Sequence, residues 1–385
     1  MKIVLLLFFA VVVNCFYGCS SVTAANSAAG TAEKKVKFGL YVDTGASGNG
    51  VFHLASLIEH SPQAELKLLM ADDIRQGRLK DVDVLIMPGG RSGKQCLTIG
   101  TEHLEKIREF LRSGGGYVGT CAGMFDVLEH QMQLLPFARY TNEGGSTAYV
   151  SVEISEEGAK ILGIKPGTRV VRYSGGPIVY KLENSKSEGR GISLGEFKSS
   201  VNRHKNNEGK FIGSPALIYG TYGKGRIAAI SFHPEYWEST HDIMLGCFYA
   251  ASGVKLTPHF PRKNFRPVRV GILTTGMVGR EPIETMLKLE RHPDIDLDYV
   301  MKTELNQGIL NHLDILVMPH SNKAIVKKYL SARQLEAFMD RGGKVISTGD
   351  TSDGIPAHKN FIKLSPDADI NKYIQTLCLQ KPFFM

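Results

Sequence analysis

A short apolar strand running into a proline-led loop occurs twice in this chain, and the repetition narrows the folds open to it. Val82-Asp83-Val84-Leu85-Ile86-Met87 ends in Pro88-Gly89-Gly90, and Leu313-Asp314-Ile315-Leu316-Val317-Met318 ends in Pro319. A matching apolar run precedes each, Val36–Val42 and Val268–Leu273. Residues at helical spacing follow each, Leu104, Ile107, Phe110 and Leu111 in one case and Leu335, Phe338 and Met339 in the other. Each series then enters a glycine-led strand, at Gly114-Gly115-Gly116-Tyr117-Val118 and at Gly342-Gly343-Lys344-Val345-Ile346. Continuous apolar strands alternating with helices belong to a parallel sheet covered on both faces. Two α/β units are therefore expected, over residues 35–256 and 266–385, with Thr257–Pro267 and its three prolines as the linker. Loops at the carboxyl ends of the strands are where such sheets build sites.

The first glycine-led strand ends in Gly119-Thr120-Cys121-Ala122-Gly123-Met124. Read as Gly-x-Cys-x-Gly, this is a nucleophile elbow carrying a thiol, in which small residues at 119 and 123 relieve a crowded turn. The N-terminus of the helix that follows is expected to favour thiolate at Cys121. The plain alternative is a small buried cysteine in a glycine-rich turn. The second unit has no cysteine at the equivalent place, only Gly349 and Asp350, and His320 replaces the first loop glycine. Its expected role is packing, dimerisation or shaping a cleft.

Between the elbow and the next motif lies a β-rich insert, with strands over Ala148–Ile154 and Thr168–Tyr173 and a tight turn at Tyr173-Ser174-Gly175-Gly176-Pro177. Ala216–Tyr222, Gly223-Lys224-Gly225 and Arg226–Phe232 read as a hairpin that delivers His233-Pro234-Glu235. A histidine at a strand end with a carboxylate two residues on supplies a base and the group that orients it.

Gly-Thr-Cys121-Ala-Gly, His233-Pro-Glu235 and the Pro88-Gly89-Gly90 loop together resemble the class I glutamine amidotransferase superfamily. Within it, residues 36 to 255 most resemble the biotin–protein ligase N-terminal-domain-like group. The resemblance implies a flavodoxin-like sheet with helices on both faces, and a Cys121–His233–Glu235 triad. It also implies an oxyanion hole from Gly89, Gly90 and the amide of Ala122; read from the residues alone, those glycines fit an ordinary strand-to-loop turn equally. Tyr173, Gly175, Gly176 and Phe125 are expected to border the substrate, a small amide, a peptide or a cell-wall-derived fragment. Residues 266–385 read as a second, smaller and degenerate flavodoxin-like unit. The chain departs from the glutamine-hydrolysing pattern at Phe125, where such members carry glutamine, and no segment resembles an ammonia-accepting synthase or a ligase catalytic half. Two readings follow: a cysteine-dependent amidase or related hydrolase, and a non-catalytic ligand-binding or scaffold protein that keeps the fold.

Met1-Lys2 followed by the eleven apolar residues Ile3–Val13 has the form of a signal peptide, expected over residues 1–18. Gly18-Cys19-Ser20-Ser21 resembles a bacterial lipoprotein cleavage box, with Cys19 as the lipidated residue and residues 19–34 as a flexible tether. Cys15 is a poorer candidate, and ordinary secretory cleavage near Ala24–Ala29 is the alternative. A lipid-anchored protein of the bacterial envelope is expected, facing the periplasm or the cell surface. The formal charge of +8 is dispersed, with small clusters such as Arg203-His204-Lys205, and no basic stripe is interleaved with aromatics. Nucleic acid is therefore not an expected partner. Cys96, Cys121, Cys247 and Cys378 have no pair spacing, and His53, His103, His241 and His292 have no ligand spacing, so neither metal nor cofactor is expected.

Overall fold

In chain order the strands are β1 (Val36–Tyr41), β2 (Ala64–Leu69), β3 (Val84–Met87), β4 (Gly116–Thr120), β5 (Phe137–Arg139), β6 (Thr147–Ile154), β7 (Gly167–Ser174) and β8 (Val179–Lys181). They continue with β9 (Arg190–Phe197), β10 (Pro215–Tyr222), β11 (Gly225–Ile230), β12 (Val268–Leu273), β13 (Ile295–Val300), β14 (Ile315–Met318), β15 (Lys344–Thr348) and β16 (Phe361–Leu364). This computed structural model describes residues 34–140, 147–201, 208–274, 279–318, 331–348, 355–365 and 368–379. The signal peptide, Cys19 and the tether up to residue 33 lie outside the described residues. So do Arg203-His204-Lys205, Pro319, His320, Gly349 and Asp350.

The larger sheet runs β2-β1-β3-β4-β11-β10-β9-β6-β7. Its first five members are parallel, in the 2-1-3-4-5 order of flavodoxin-like folds. The β-rich insert does not form a layer of its own. It extends the same sheet, because β10 turns back antiparallel on β11 through Tyr222↔Gly225, and β9, β6 and β7 add on in turn.

Strand alternation feeds two cores. Phe38, Leu40, Val84, Ile86 and Val118 point to the face covered by the helices Gly48–Glu59 and His241–Ser252. Tyr41, Leu85, Met87 and Tyr117 point to the face covered by Ser92–Ile99 and Leu104–Arg112. Each fully buried aromatic of this kind, such as Phe38 with its ring centred 5.2 Å from that of Phe248, contributes about 1.5–3 kcal/mol by leaving water.

The second sheet runs β13-β12-β14-β15-β16, all parallel, again in 2-1-3-4-5 order. The duplication extends to single hydrogen bonds. The Asp83 carboxylate accepts from the Lys37 amide at 2.8 Å, and the Asp314 carboxylate accepts from the Arg269 amide at 2.9 Å. A Cβ on Gly115 would overlap the ring of Phe110, and one on Gly343 the ring of Phe338. The described residues from Lys35 onward form one compact unit, and one apolar cluster runs through both sheets by way of Val270, Ile272, Ile283 and Met286. At this seam the helix Gly48–Glu59 packs on the helix Arg280–Glu290. Glu290 there accepts from Ser56 at 2.8 Å and from the Tyr299 hydroxyl at 3.1 Å, and it pairs with His60 at 3.1 Å.

Candidate active site

Five loops meet at the carboxyl ends of the parallel strands. The loop after β1 and the loop after β3 are laced together: Ser47 N–H donates to the Gly89 carbonyl at 2.7 Å, and Arg91 N–H to the Gly45 carbonyl at 2.8 Å. Gly90, at φ 141°, permits this close approach, since a Cβ there would overlap Gly45. Its amide donates to no protein acceptor among the described residues.

Cys121 follows β4 at φ 51°, ψ −100°, a region that side-chain-bearing residues enter only under constraint. The constraint is visible. Its amide donates to the Ile230 carbonyl at 2.7 Å. Gly119 and Gly123 are pressed together, and Gly123 also lies on the carbonyl of Met87, so a Cβ at either would overlap backbone. The helix after the elbow is only Ala122–Asp126. It is too short for the dipole stabilisation of thiolate expected from sequence, which builds up over aligned peptide units. A buried side chain stands next to Cys121.

That neighbour is His233, at the end of β11. The Cys121 sulfur lies within electrostatic reach of His233, and Gly89 stands against both: a Cβ on it would lie 2.7 Å from His233 Cε1 and 3.5 Å from Cys121 Cβ. The opposite ring nitrogen, Nδ1, donates to Glu235 Oε1 at 2.9 Å. Glu235 is wholly buried, and its Oε1 lies beside Gly50 at the start of the Gly48–Glu59 helix. Burial by itself would lower the His233 pKa. The Glu235 carboxylate and the Cys121 sulfur outweigh it and raise the value from 6.5 to about 10. Glu235 and the Cys121 sulfur thus both favour the charged form of the imidazole.

The turn Ser174–Pro177 covers the sulfur. The Cys121 thiol approaches the Ser174 carbonyl at 3.6 Å, and Gly176 presses against the carbonyl of Ser231 just before Phe232-His233. Tyr173 does not meet the expectation of a ring at the substrate. Its ring is fully buried, edge-on to Phe197 and Phe211, because β7 alternates and places residue 173 on the core face. Its hydroxyl donates to the Gly176 carbonyl at 2.7 Å and so shapes the turn from behind. Phe125 is half-buried against the second core, with the Arg139 guanidinium 5.6 Å above its ring. Cys247 is buried in the first core and Cys96 in the second.

Several site residues carry no sequence signal. Tyr236 lies edge-on to His233 at 5.3 Å, and the Arg172 guanidinium covers it at 4.3 Å. His53 packs between Tyr236 at 4.8 Å and Tyr299 of the second sheet at 4.7 Å. Burial, then the positive charges of His241, Arg172 and His233, lower the His53 pKa to about 3 and keep it neutral. His241 donates to the Glu235 carbonyl at 3.1 Å. Among the described residues no three His, Cys, Asp or Glu side chains group as metal ligands.

Residues 40–127 match the family model of the biotin-protein ligase N-terminal region. The match takes in the Gly89–Gly90 loop, Cys121 and Ala122, and it agrees with the biotin–protein ligase N-terminal group that the sequence motifs resemble. A 173-residue stretch is 27% identical to a biotin–protein ligase of Schizosaccharomyces pombe, covering 40% of this chain. The match spans a quarter, 25%, of that ligase's length. Among solved structures, the chain aligns with PurLQS from Thermotoga maritima over 56% of its length and 98% of that chain, at 17% identity and a TM-score of 0.42. It also aligns with a ThuA-like protein from Parabacteroides merdae over 60% of its length and 94% of that chain, at 14% identity and a TM-score of 0.42. Among the described residues no helix is long and apolar enough to cross a membrane.

Proposed function

We propose that the biotin–protein ligase N-terminal-like region of this chain is a cysteine-dependent acyl-transfer centre that hydrolyses an amide or related acyl bond. The observation that carries this reading is the position of Cys121: held at positive φ on a glycine-packed elbow, across Gly89 from a buried His233 whose Nδ1 meets Glu235 at 2.9 Å. The raised pKa of His233 favours a ring that carries a proton to deliver to the leaving group. In the first half-reaction the Cys121 sulfur adds to the acyl carbon, a C–S bond forms, and the C–N bond breaks. The departing amine takes its proton from His233 Nε2. Water then attacks the thioester and gives a proton back to His233; a C–O bond forms, the C–S bond breaks to return the Cys121 sulfur, and the acid is released. The amides of Gly90 and Ala122 suit an oxyanion that develops beside Gly89. Neither donates to a protein acceptor among the described residues, Ala122 because it is the first residue of a helix.

A second reading is ligand binding without turnover. The 5% exposure of Cys121 beneath the Ser174 carbonyl favours it. Iodoacetamide labelling near neutral pH separates the two. A Cys121 that labels faster than a free thiol, and slows at least tenfold in His233→Ala, supports catalysis. A Cys121 as inert as the buried Cys247 supports binding alone.

We further propose that Cys19 carries a lipid and tethers the chain to the bacterial envelope, as the Gly18-Cys19-Ser20 box suggests. Metabolic labelling with an alkyne fatty acid tests this. Label that persists in Cys19→Ala, or is absent from the wild type, removes the anchor from the reading.

A further inference from the structure

The linker between the two sheets is fastened where the chain enters the fold. Val36 opens β1 with its amide on the Gln63 carbonyl at 2.9 Å. The Gln63 side chain accepts the Thr257 amide at 3.1 Å, and the His259 amide donates to the His60 carbonyl at 2.7 Å. Two rings of this linker stay out of the core: Phe265 is 90% exposed and Phe260 47%. Phe260 is braced on the His60 ring at 5.0 Å, and the Arg266 guanidinium lies 5.2 Å from the centre of the Phe265 ring. Pro261 and Pro267 stiffen the stretch that carries them. Arg262 and Arg266 are exposed and meet no carboxylate within ion-pair distance among the described residues. Lys263 is spent on the fold, donating to the backbone carbonyls of Glu290 and His292, and Asp294 is held by Asn264 at 2.7 Å. Lys35, next to Val36, and Lys255, two residues before Thr257, are exposed as well. Sequence alone shows here a proline-rich linker and no basic stripe; folding completes the patch by bringing Lys35 and Lys255 beside it. Cys121 follows the far end of β4, which runs parallel to β1 by way of β3. Patch and nucleophile therefore lie at opposite edges of the larger sheet.

We propose that this linker patch docks on the surface of an anionic lipid bilayer. Phe260 and Phe265 enter the headgroup layer, and Arg262, Arg266, Lys35 and Lys255 lie against the lipid phosphates. Each cation held at such a surface strengthens binding roughly fivefold, and exposed rings beside the cations add apolar burial that a soluble polyanion does not offer. The root of the tether selects the bilayer as the occupant. Residues 1–33 join the fold at Lys35, so the surface beside Lys35 is the one nearest to whatever holds that segment. A tether alone limits distance and leaves orientation free; two rings and four cations fixed on one edge set the orientation. Docked in this way, the opposite edge with Cys121 faces away from the lipid and is open to soluble molecules. The contact belongs to the folded surface, and it needs neither the acyl-transfer chemistry nor a lipid on Cys19.

The test uses the chain from residue 19 onward with Cys19→Ala, so that no lipid anchors it; the compact unit begins at Lys35 and is left whole. The probe is vesicles of equal parts phosphatidylglycerol and phosphatidylcholine, with phosphatidylcholine alone as the neutral control. The protein should sediment with the anionic vesicles, stay in solution with the neutral ones, and be released by salt. Arg262→Gln combined with Arg266→Gln should weaken binding at least tenfold, and Phe260→Ala combined with Phe265→Ala about tenfold. Phe265→Ala alone, at a ring almost wholly in water, covers the case in which the Phe260 change disturbs the His60 contact. Phe265→Trp should shift its emission to the blue on anionic vesicles. The parent chain should show no such shift, since its single tryptophan, Trp237, follows His233 at the other edge. Failure to bind the anionic vesicles, equal binding to the neutral ones, or full binding in the arginine pair overturns the proposal. So does a single-stranded oligonucleotide that binds as tightly as the vesicles and is weakened by the arginine pair but not by the phenylalanine pair, a result that assigns the patch to soluble polyanions. Fatty-acid labelling of Cys19 is read separately, so loss of the lipid and loss of the patch are told apart.

Discussion

Glu235 Oε1 lies 2.9 Å from His233 Nδ1, and both side chains are out of water. Because burial opposes charge on the imidazole, the raised His233 pKa depends on the carboxylate and the Cys121 sulfur. The folded value of about 10 exceeds the ordinary 6.5. Stability from the charged histidine is therefore fully present below pH 6.5 and is lost as pH rises through about 10. Glu235→Gln keeps the shape and removes the charge, so the His233 pKa should fall from about 10 towards its ordinary value. Titration of the His233 ring protons by NMR reads this directly. Labelling of Cys121 at pH 7 should slow roughly a hundredfold, the usual size of a proton-transfer contribution. A His233 that remains protonated at pH 7 in Glu235→Gln refutes the arrangement.

Gly89→Ala tests the closeness of the loop to the pair. A methyl 2.7 Å from His233 Cε1 cannot be accommodated unless the ring or the loop moves, and the Ser47 bond to Gly89 holds the loop. The ring should give way and separate from Cys121. Labelling should fall at least tenfold, with a stability loss of about 1–3 kcal/mol, the usual cost of overpacking. Chemical denaturation and labelling rates together check it. Wild-type labelling in Gly89→Ala would place the histidine elsewhere.

The parallel sheets, the hairpin ahead of His233 and the duplication are legible in the sequence because strand-length apolar runs and glycine-led turns are local signals. Gly119 and Gly123 are readable for the same reason, since an elbow leaves no room for a Cβ. Tyr173 escapes such a reading because a turn motif says where the chain bends and not which strand face a preceding ring takes. The shortness of the helix after the elbow is not legible, because nothing in Ala122–Asp126 marks its early end. Arg172, Tyr236 and His53 carry no local mark at all. They converge from β7, the segment after His233 and the first helix, and only tertiary packing brings those together.

Tyr299 links the second sheet to the neighbourhood of the site. Its ring stacks on Phe52 at 5.7 Å, meets His53 edge-on, and its hydroxyl donates to Glu290. Tyr299→Phe should cost only about 1 kcal/mol, because Glu290 keeps Ser56 and His60. Tyr299→Ala should cost about 3–5 kcal/mol, as large-to-small changes in packed aromatic sites do. Urea unfolding measures both. Near-equal losses in the two variants would show that the ring does not bear the packing at the seam.

Asp126 closes the short helix after the elbow and is wholly buried. Its Oδ1 accepts from Ser92 at 2.6 Å and from the Cys96 thiol at 3.4 Å, while Oδ2 meets no protein donor among the described residues. Burial raises its pKa from 3.8 to about 7 against the lowering effect of those two bonds. For a carboxyl with a raised folded value the sign reverses from the usual case. The native state holds the proton more tightly than the unfolded chain, so stability falls as pH climbs from about 4 to about 7 and then levels. Asp126→Asn keeps an acceptor for Ser92 and removes the titration. Its stability relative to wild type should improve across that window, by a few kcal/mol at most, since each tenfold change in proton affinity corresponds to about 1.4 kcal/mol. Urea midpoints at pH 4.5, 6 and 8 decide the matter: a difference between the two proteins that stays flat over that range means Asp126 does not change protonation there.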